Sequence, residues 1–485
     1  MKKSAFILFL VLFQFCGKLP EQNINTFSNQ KNSIEGKPLK QLQQEFLDLR
    51  FGMFIHFNLP TYYNEDWIDP NASIDVFNPV KLDCKQWADA AKSAGMTYGC
   101  LTTKHHSGFC IWNTKTTNYN VMNSPFKRDV VKEFADAFRT QGLKVFLYYS
   151  ILDTHHDIRK GWTKKEHTQF IKDQLTELLT SYGEIDALII DGWDAFWSRI
   201  SYEEISFEEI YKHLKSLQPN CLLSEHNAGK YPADALFYSD IKQYEQNAGQ
   251  RISKETNKLP AQAGIPINKY WFWKTDFPAI PVKTADYIVN ENIIPLNDAY
   301  CNFILNVAPN RDGLIDDNAL AELAKVGEMW KSSGKAQLLH EESIPLIYSN
   351  LAKFQKANSS WSNDMLISDF GNDDDFNTAW QSNKAVEQPW LEITFKANTE
   401  FNAVSFSEPD KKLGWLEYPM QRIRKYQLQY FEDNTWKSFF SGTNPDKVQI
   451  CRFKPVNSTK VRLFIEEGEP EVAIAEFCVY NEKIP

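Results

Sequence analysis

The chain has 485 residues, 43% of them hydrophobic and 24% charged, enough to bury a large core and to form two or three domains. Its formal net charge of −9 argues against a nucleic-acid partner, which calls for a basic face. The 14 Trp, 20 Tyr and 34 Phe exceed what a surface could carry, so most are assigned to the core. At the N-terminus Lys2 and Lys3 precede an apolar run from Ala5 to Phe15, too short to span a bilayer, which reads as a secretory signal over residues 1–16. Cys16 ends that run where a bacterial lipoprotein carries its acylated cysteine, although Phe13-Gln14-Phe15 is a poor version of the motif. Export is expected, to the periplasm or to a bacterial cell surface; membrane anchoring would come only through a lipidated Cys16. A polar, Asn/Gln-rich leader covers about residues 17–37.

From residue 38 to about 335 strand-like and helix-like segments alternate. Candidate strands are Gly52–Phe57, Tyr98–Lys104, Lys144–Ser150, Ile185–Asp191, Cys221–Ser224, Leu236–Ser239, Lys269–Trp273 and Cys301–Val307. Several are continuous apolar runs, as strands buried on both faces should be. Between them, Asp129 is placed to cap a helix carrying Val130, Phe134 and Phe138 that stops at Gly142. Thr163 with Glu166, and Ser206 with Glu209, read as capping boxes. Eight strands alternating with helices predict an α/β chain with a (β/α)8-like barrel. Beyond about residue 340 short alternating strands such as Trp390–Phe395, Asn402–Ser407, Tyr426–Tyr430, Lys460–Ile465 and Phe477–Tyr480 predict a C-terminal β-sandwich over 340–485. The eight cysteines show no metal-like spacing and read as buried free thiols.

In such a barrel the reacting groups stand at the C-terminal ends of the strands. Those ends carry His56 with Asp66 and Trp67 beyond it, then Lys104-His105-His106-Ser107-Gly108-Phe109 with Trp112, then Tyr148, then Asp191-Gly192-Trp193. Tyr244-Glu245 follows the sixth predicted strand, and Trp271 and Trp273 lie on the seventh. Polar and aromatic groups at nearly every strand end make a sugar-sized pocket the economical reading. Asp191, at the end of the apolar run Ala187-Leu188-Ile189-Ile190, is the candidate nucleophile. Glycoside cleavage needs a second carboxylic acid, and Glu245 is the first choice, with Glu225 and Glu255 as rivals. His56, His105 and His106 could instead hold a metal. Adjacent His105 and His106 would, however, face opposite sides of a regular strand. The imidazoles are therefore read as hydrogen-bond donors to sugar hydroxyls, and neither metal nor cofactor is expected.

The segments Ile55-His56-Phe57-Asn58, Lys104-His105-His106-Ser107-Gly108-Phe109-Cys110-Ile111-Trp112, Leu188-Ile189-Ile190-Asp191-Gly192 and Leu305-Asn306-Val307-Ala308-Pro309-Asn310-Arg311-Asp312-Gly313 resemble glycoside hydrolase family 29, the retaining α-L-fucosidases. The resemblance runs in order across about residues 45–333. It implies an exo-acting enzyme that removes terminal α-L-fucose from a fucosylated oligosaccharide or glycoconjugate; the alternatives are a catalytically degenerate, fucosidase-like glycan-binding protein and another exo-glycosidase on the same scaffold. It also implies sugar contacts from His56, His105, His106, Trp112 and Tyr148, Asp191 as nucleophile and Glu245 as acid/base. Asp66 stands where family members often carry Glu before Trp. Phe57-Asn58 and Ser107 depart from the Trp-Gly and Asp often found there, which bears on substrate preference more than on chemistry. The segment from Asp375-Phe376-Asn377-Thr378-Ala379-Trp380 to Pro389-Trp390-Leu391-Glu392-Ile393 is similar to discoidin-like, galactose-binding-type sandwiches.

Overall fold

The computed structural model describes residues 36–483 apart from 196, 227–229, 232–234, 246–251, 256, 333, 340–342, 410, 411, 414, 415 and 418–420. The expected signal sequence, Cys16 and nearly all of the polar leader therefore lie outside the described residues. Eight parallel strands close into a barrel in chain order: β1 Phe51–Ile55, β2 Tyr98–Lys104, β3 Lys144–Ser150, β4 Ala187–Asp191, β5 Leu222–Glu225, β6 Ile241–Glu245, β7 Ala261–Pro266 and β8 Cys301–Asn306. Closure is made by β1 against β8, with Phe51 opposite Phe303 and Phe54 opposite Asn306. Their side chains are almost all buried because helices cover the barrel outside and other side chains fill it inside.

Two of the eight strands differ from expectation. The apolar run Leu236–Ser239 is not the sixth strand; it makes a single bridge, Phe237 with Leu346, outside the barrel. The strand is the more polar Ile241–Glu245, whose Gln243 side chain accepts a hydrogen bond from Ser224 inside the barrel at 3.0 Å. Likewise Lys269–Trp273 is a loop, and the seventh strand is the small-residue segment Ala261–Pro266. Helix ends follow local chemistry. Asp129 accepts from Lys132 N at the start of the helix Val130–Thr140, and Gly142, at φ +71°, ends that turn of chain. Ser206 accepts from Glu209 N before the helix Phe207–Leu217. Thr163 does not cap: the helix Lys165–Ser181 starts later, with Lys164 N donating to His167 Nδ1, while the Thr163 hydroxyl turns to Glu204.

The N-terminal mouth of the barrel is plugged by the helix Leu39–Asp48, whose Phe46 stacks on Phe146 and whose Phe46 carbonyl accepts from Asn302. The opposite mouth is left open. After the last barrel helix, Asp317–Met329, the chain reaches an antiparallel sheet ordered Thr435–Thr443, Ile423–Glu432, Val448–Gly468, Trp390–Ser407, Glu476–Tyr480. Trp390–Ser407 is one long strand with irregularities between Thr394 and Thr399 and between Phe401 and Ala403. Its first half pairs with Lys356–Ser359 and its second with Glu476–Tyr480, so one strand serves both parts of the sandwich. Leu391, Ile393, Val404, Phe406, Leu428, Val461 and Leu463 fill the interior. Ala403, Val448, Cys478 and Tyr480 join the barrel's own apolar cluster, so the two domains share buried surface. Cys84, Cys100, Cys110, Cys221, Cys301, Cys451 and Cys478 are all free and buried, as expected. Among the described residues no helix is long and apolar enough to cross a membrane.

Candidate active site

A cavity of about 480 Å³ opens at the C-terminal ends of the strands, within the range of small-molecule sites. Its lining includes His56, Asp66, Trp67, His105, His106, Tyr148, Asp191, Glu245 and Trp271 from the expected set. It also includes Phe54, Trp197, His226 and Phe272, which sequence reasoning missed. His226 directly follows the last residue of β5, so its strand-end position was its only signal.

Asp191 is the last residue of β4 and is almost fully buried. The Tyr148 hydroxyl donates to its Oδ2 at 2.7 Å, whereas Oδ1 has no hydrogen-bond partner among the described residues. Burial opposes its ionisation, but the His226 and His106 rings, the Tyr148 hydroxyl and the Gly192 N–H outweigh that and hold its pKa below the ordinary carboxyl value. Glu245, the last residue of β6, accepts from Trp271 Nε1 at 3.0 Å. Its pKa is raised, chiefly by burial and further by the charge of Asp191, against the opposing effects of His226 and Trp271. The two carboxyls are thus poised in opposite directions.

Two of the three expected histidines, His56 and His106, turn a neutral ring's Nε2 to accept rather than to donate as expected. His56 Nδ1 lies 2.8 Å from Asn306 Oδ1, and the His56 backbone N–H donates to that same oxygen at 3.2 Å. The oxygen can only accept, so the ring proton is on Nδ1 and Nε2 carries the lone pair. His106 Nδ1 meets Ser150 Oγ at 2.7 Å, and because Ser150 spends its proton on the Leu152 carbonyl, His106 also donates through Nδ1. Burial drives both rings toward neutrality, His56 to a pKa of about 3 and His106 to about 4, and pushes His105 well down too.

His105 and His106 do not diverge. They follow β2 in a turn rather than continuing it, and their ring centroids are 4.0 Å apart. That turn is held from behind by Lys104, whose ammonium reaches Asp153 at 3.1 Å, Tyr149 at 2.9 Å and Gln174 at 3.0 Å in full burial. Asp153 in turn pairs with His156, and Thr154 N donates to the His106 carbonyl at 2.9 Å. Gly108 sits at φ +86°, where a Cβ would lie 2.2 Å from Asp153 Oδ1. Among the described residues no three His, Cys, Asp or Glu side chains are grouped to hold a metal ion.

The aromatic wall is Trp67, stacked on His106 at 4.6 Å, with Trp271 and Phe272 beside His56 at 5.0 and 5.2 Å. Asp66 is fixed by Lys274 at 2.7 Å. Three expected contacts lie elsewhere. Trp112 is fully buried and donates to Glu177 on the helix Lys165–Ser181, because the chain after β2 folds back along the barrel, Ile111 N bonding to the Thr103 carbonyl. Trp193 points away from the cavity to the Ile205 carbonyl and packs on Phe207. Trp273 donates to Asp316 and packs on Phe277 and Ala308. Of the rival acids, Glu225 is wholly buried behind the cavity, accepting from Tyr202 at 2.8 Å, and Glu255 is exposed.

Cleaving a glycosidic bond takes one carboxyl that is ionised and another that keeps its proton, and this cavity separates Asp191 and Glu245 in that sense; the class it defines is glycoside hydrolase. Residues 18–335 match the family model of alpha-L-fucosidase, and residues 352–477 that of the F5/8 type C domain. The chain belongs to the α-L-fucosidase family. It is 27% identical to alpha-L-fucosidase 1 of Arabidopsis thaliana, over 92% of this chain and 88% of the plant protein. It is 26% identical to tissue alpha-L-fucosidase of Homo sapiens, over 63% and 70% of the two chains. The crystal structure of a glycoside hydrolase 29 family member from an unknown rumen bacterium covers 92% of this chain and 77% of its own, at 25% identity and a TM-score of 0.50. A Ruminococcus gnavus family 29 fucosidase solved with fucose shares the fold at 18% identity and a TM-score of 0.51, over 93% and 98% of the chains.

Proposed function

We propose that the protein is an exo-acting α-L-fucosidase that works with retention of configuration. The carrying observation is that Asp191 has one oxygen held by Tyr148 and the other buried without a hydrogen-bond partner among the described residues, in a cavity that Glu245, an acid of raised pKa, also lines. In the first step Asp191 Oδ1 attacks the anomeric carbon. The bond from that carbon to the glycosidic oxygen breaks, and Glu245 gives its proton to the departing oxygen. In the second step Glu245 takes a proton from water, whose oxygen attacks the same carbon and breaks the ester to Asp191. His56 and His106 accept hydrogen bonds from sugar hydroxyls through Nε2, and Trp67 and Trp271 cover the ring's apolar surface. The substrate class is a terminal α-L-fucose on an oligosaccharide or glycoconjugate.

Asp191→Ala and Asp191→Asn, folded as the parent, should lose several orders of magnitude in turnover of an aryl α-L-fucoside. Azide should restore part of the Asp191→Ala rate, since a small anion fits the vacated space. Near-normal turnover by Asp191→Asn would sink the assignment. We also infer export, with lipidation at Cys16 as its finer form, from the basic start and the apolar run Ala5–Phe15. Labelled palmitate incorporated by the parent and lost in Cys16→Ala would support the anchor; no incorporation by the parent would remove it.

A further inference from the structure

One wall of the sugar cavity is tied to the sandwich domain. The loop after β4 closes on itself through its described residues: Asp194 N donates to the Ile200 carbonyl at 2.8 Å, and Ser198 Oγ donates to the Gly192 carbonyl. This loop begins next to Asp191 and carries Trp197 to the cavity lining. Its Asp194, at φ +46°, accepts a hydrogen bond from the ammonium of Lys230, in the connection after β5. The same ammonium donates to Oδ2 of Asp374 at 2.8 Å, and Asp374 belongs to the sandwich. Lys230 and Asp374 are only 17% and 20% exposed, so their charges depend on each other more than a surface pair would. Lys230 also stands over the Tyr231 and Tyr202 rings at 5.3 and 6.0 Å, and Tyr202 bonds to Glu225, the neighbour of cavity-lining His226. Asp374 has a second partner, Lys353 at 2.7 Å, which reaches Glu203 but not the loop of Asp194.

We propose that Asp374 of the sandwich is a positioning residue for hydrolysis, fixing the Trp197 wall of the sugar pocket through Lys230 and Asp194. Without Asp374 the ammonium has one carboxylate instead of two and can follow it, so the loop of residues 192–200 loses its outer anchor. The effect falls on sugar binding more than on bond breaking, because Asp191 is held by β4 and Tyr148. The inference rests on reading the cavity as the fucose site.

The test uses the full chain and an aryl α-L-fucoside. Wild type without turnover would overturn the reading of the site itself; an active wild type lets this inference be judged separately. Asp374→Asn should raise KM about three- to tenfold with kcat within twofold. Asp374→Glu should recover at least half of that change on a logarithmic scale. Lys353→Met removes another charge from the same domain contact and should lower Tm while leaving KM within twofold. Asp194→Asn should raise KM as Asp374→Asn does, and the double variant should be no worse than the worse single one. Unchanged KM in a folded Asp374→Asn, or effects of the two variants that multiply, would overturn the proposal. If Asp374→Asn does not fold, unchanged KM in Asp194→Asn overturns it alone, and a raised KM there that Lys230→Met reproduces upholds it.

Discussion

Tyr148 donates its phenolic proton to only one of the two oxygens of Asp191, Oδ2 at 2.7 Å, and leaves Oδ1 buried with no hydrogen-bond partner among the described residues. The bond stabilises the carboxylate and orients its second oxygen. Tyr148→Phe should therefore lose the stabilisation of a charged group, about 1.5–3 kcal/mol, or roughly ten- to a hundredfold in kcat/KM. The acid limb of the kcat/KM profile should move up in pH, because the hydroxyl helps hold the Asp191 pKa down. An acid limb that stays in place would show that Tyr148 does not act on this carboxyl.

Glu245 is tested through the leaving group. In the proposed mechanism, fucosylation of Asp191 needs a proton only when the departing oxygen is poor, whereas hydrolysis of the ester always benefits from a base. Glu245→Ala should slow natural glycosides far more than activated aryl fucosides, and should release a burst of phenol followed by a slow steady state. Equal slowing of both substrates with no burst would remove Glu245 from the role. Glu245→Gln should also abolish the alkaline limb of kcat/KM, since in the proposed mechanism that limb reports loss of the Glu245 proton, which burial holds on.

The neutral histidines carry a cost in acid. Free imidazole titrates near 6.5, whereas in the fold His56 and His106 reach only about 3 and about 4. Below about pH 6.5 the unfolded chain takes up protons that the folded chain refuses, so stability falls as pH drops from there toward 4. Glu245 and Glu225, whose pKa values are raised, act with the opposite sign, losing stability as pH rises. The histidine part is isolated by difference: urea midpoints of His106→Gln should fall less than those of the parent between pH 7 and 5. Parallel curves would contradict the buried neutral ring.

Behind the histidine turn, Lys104→Met would leave Asp153 buried with His156 as its remaining side-chain partner. A loss of about 3–5 kcal/mol in unfolding free energy is expected from breaking such a pair on one side. Gly108→Ala should be destabilising as well and should lower kcat/KM, because its new methyl competes with Asp153 for space next to His106. A Gly108→Ala enzyme with parental activity would show that the turn tolerates displacement.

Most of the site was legible because barrel chemistry collects at strand ends, and the apolar runs before His56, His105, Tyr148 and Asp191 mark those ends plainly. The sixth and seventh strands were not. Ile241-Lys242-Gln243-Tyr244-Glu245 looks polar, yet Gln243 finds Ser224 inside the barrel and Lys242, on the other face, donates to the Tyr231 and Ala235 carbonyls of the preceding connection, while the apolar Leu236–Ser239 packs outside. Ala261–Pro266 is weak in β-forming residues because Gly264 lies close to Ile304, where a Cβ would be 2.9 Å from its side chain. With those strands shifted, Trp271 and Trp273 could not be told apart; only the first turns into the cavity. Trp112 and Trp193 were misplaced for a different reason. A tryptophan next to a catalytic strand end is as well suited to brace a loop as to meet a sugar, and what decides is the path of the chain beyond it.

The bridge between Phe237 and Leu346 bears on how such a chain can be inherited. Leu346 lies past the region matching the catalytic family, yet its N–H and carbonyl are paired with the Leu236 carbonyl at 3.1 Å and the Tyr238 N–H at 2.9 Å. A gene fragment ending at the catalytic boundary would therefore encode a barrel with two open backbone positions beside β6. The catalytic region of this lineage is expected to travel with its connecting segment, so recombination breakpoints should fall after residue 348 rather than at the family border.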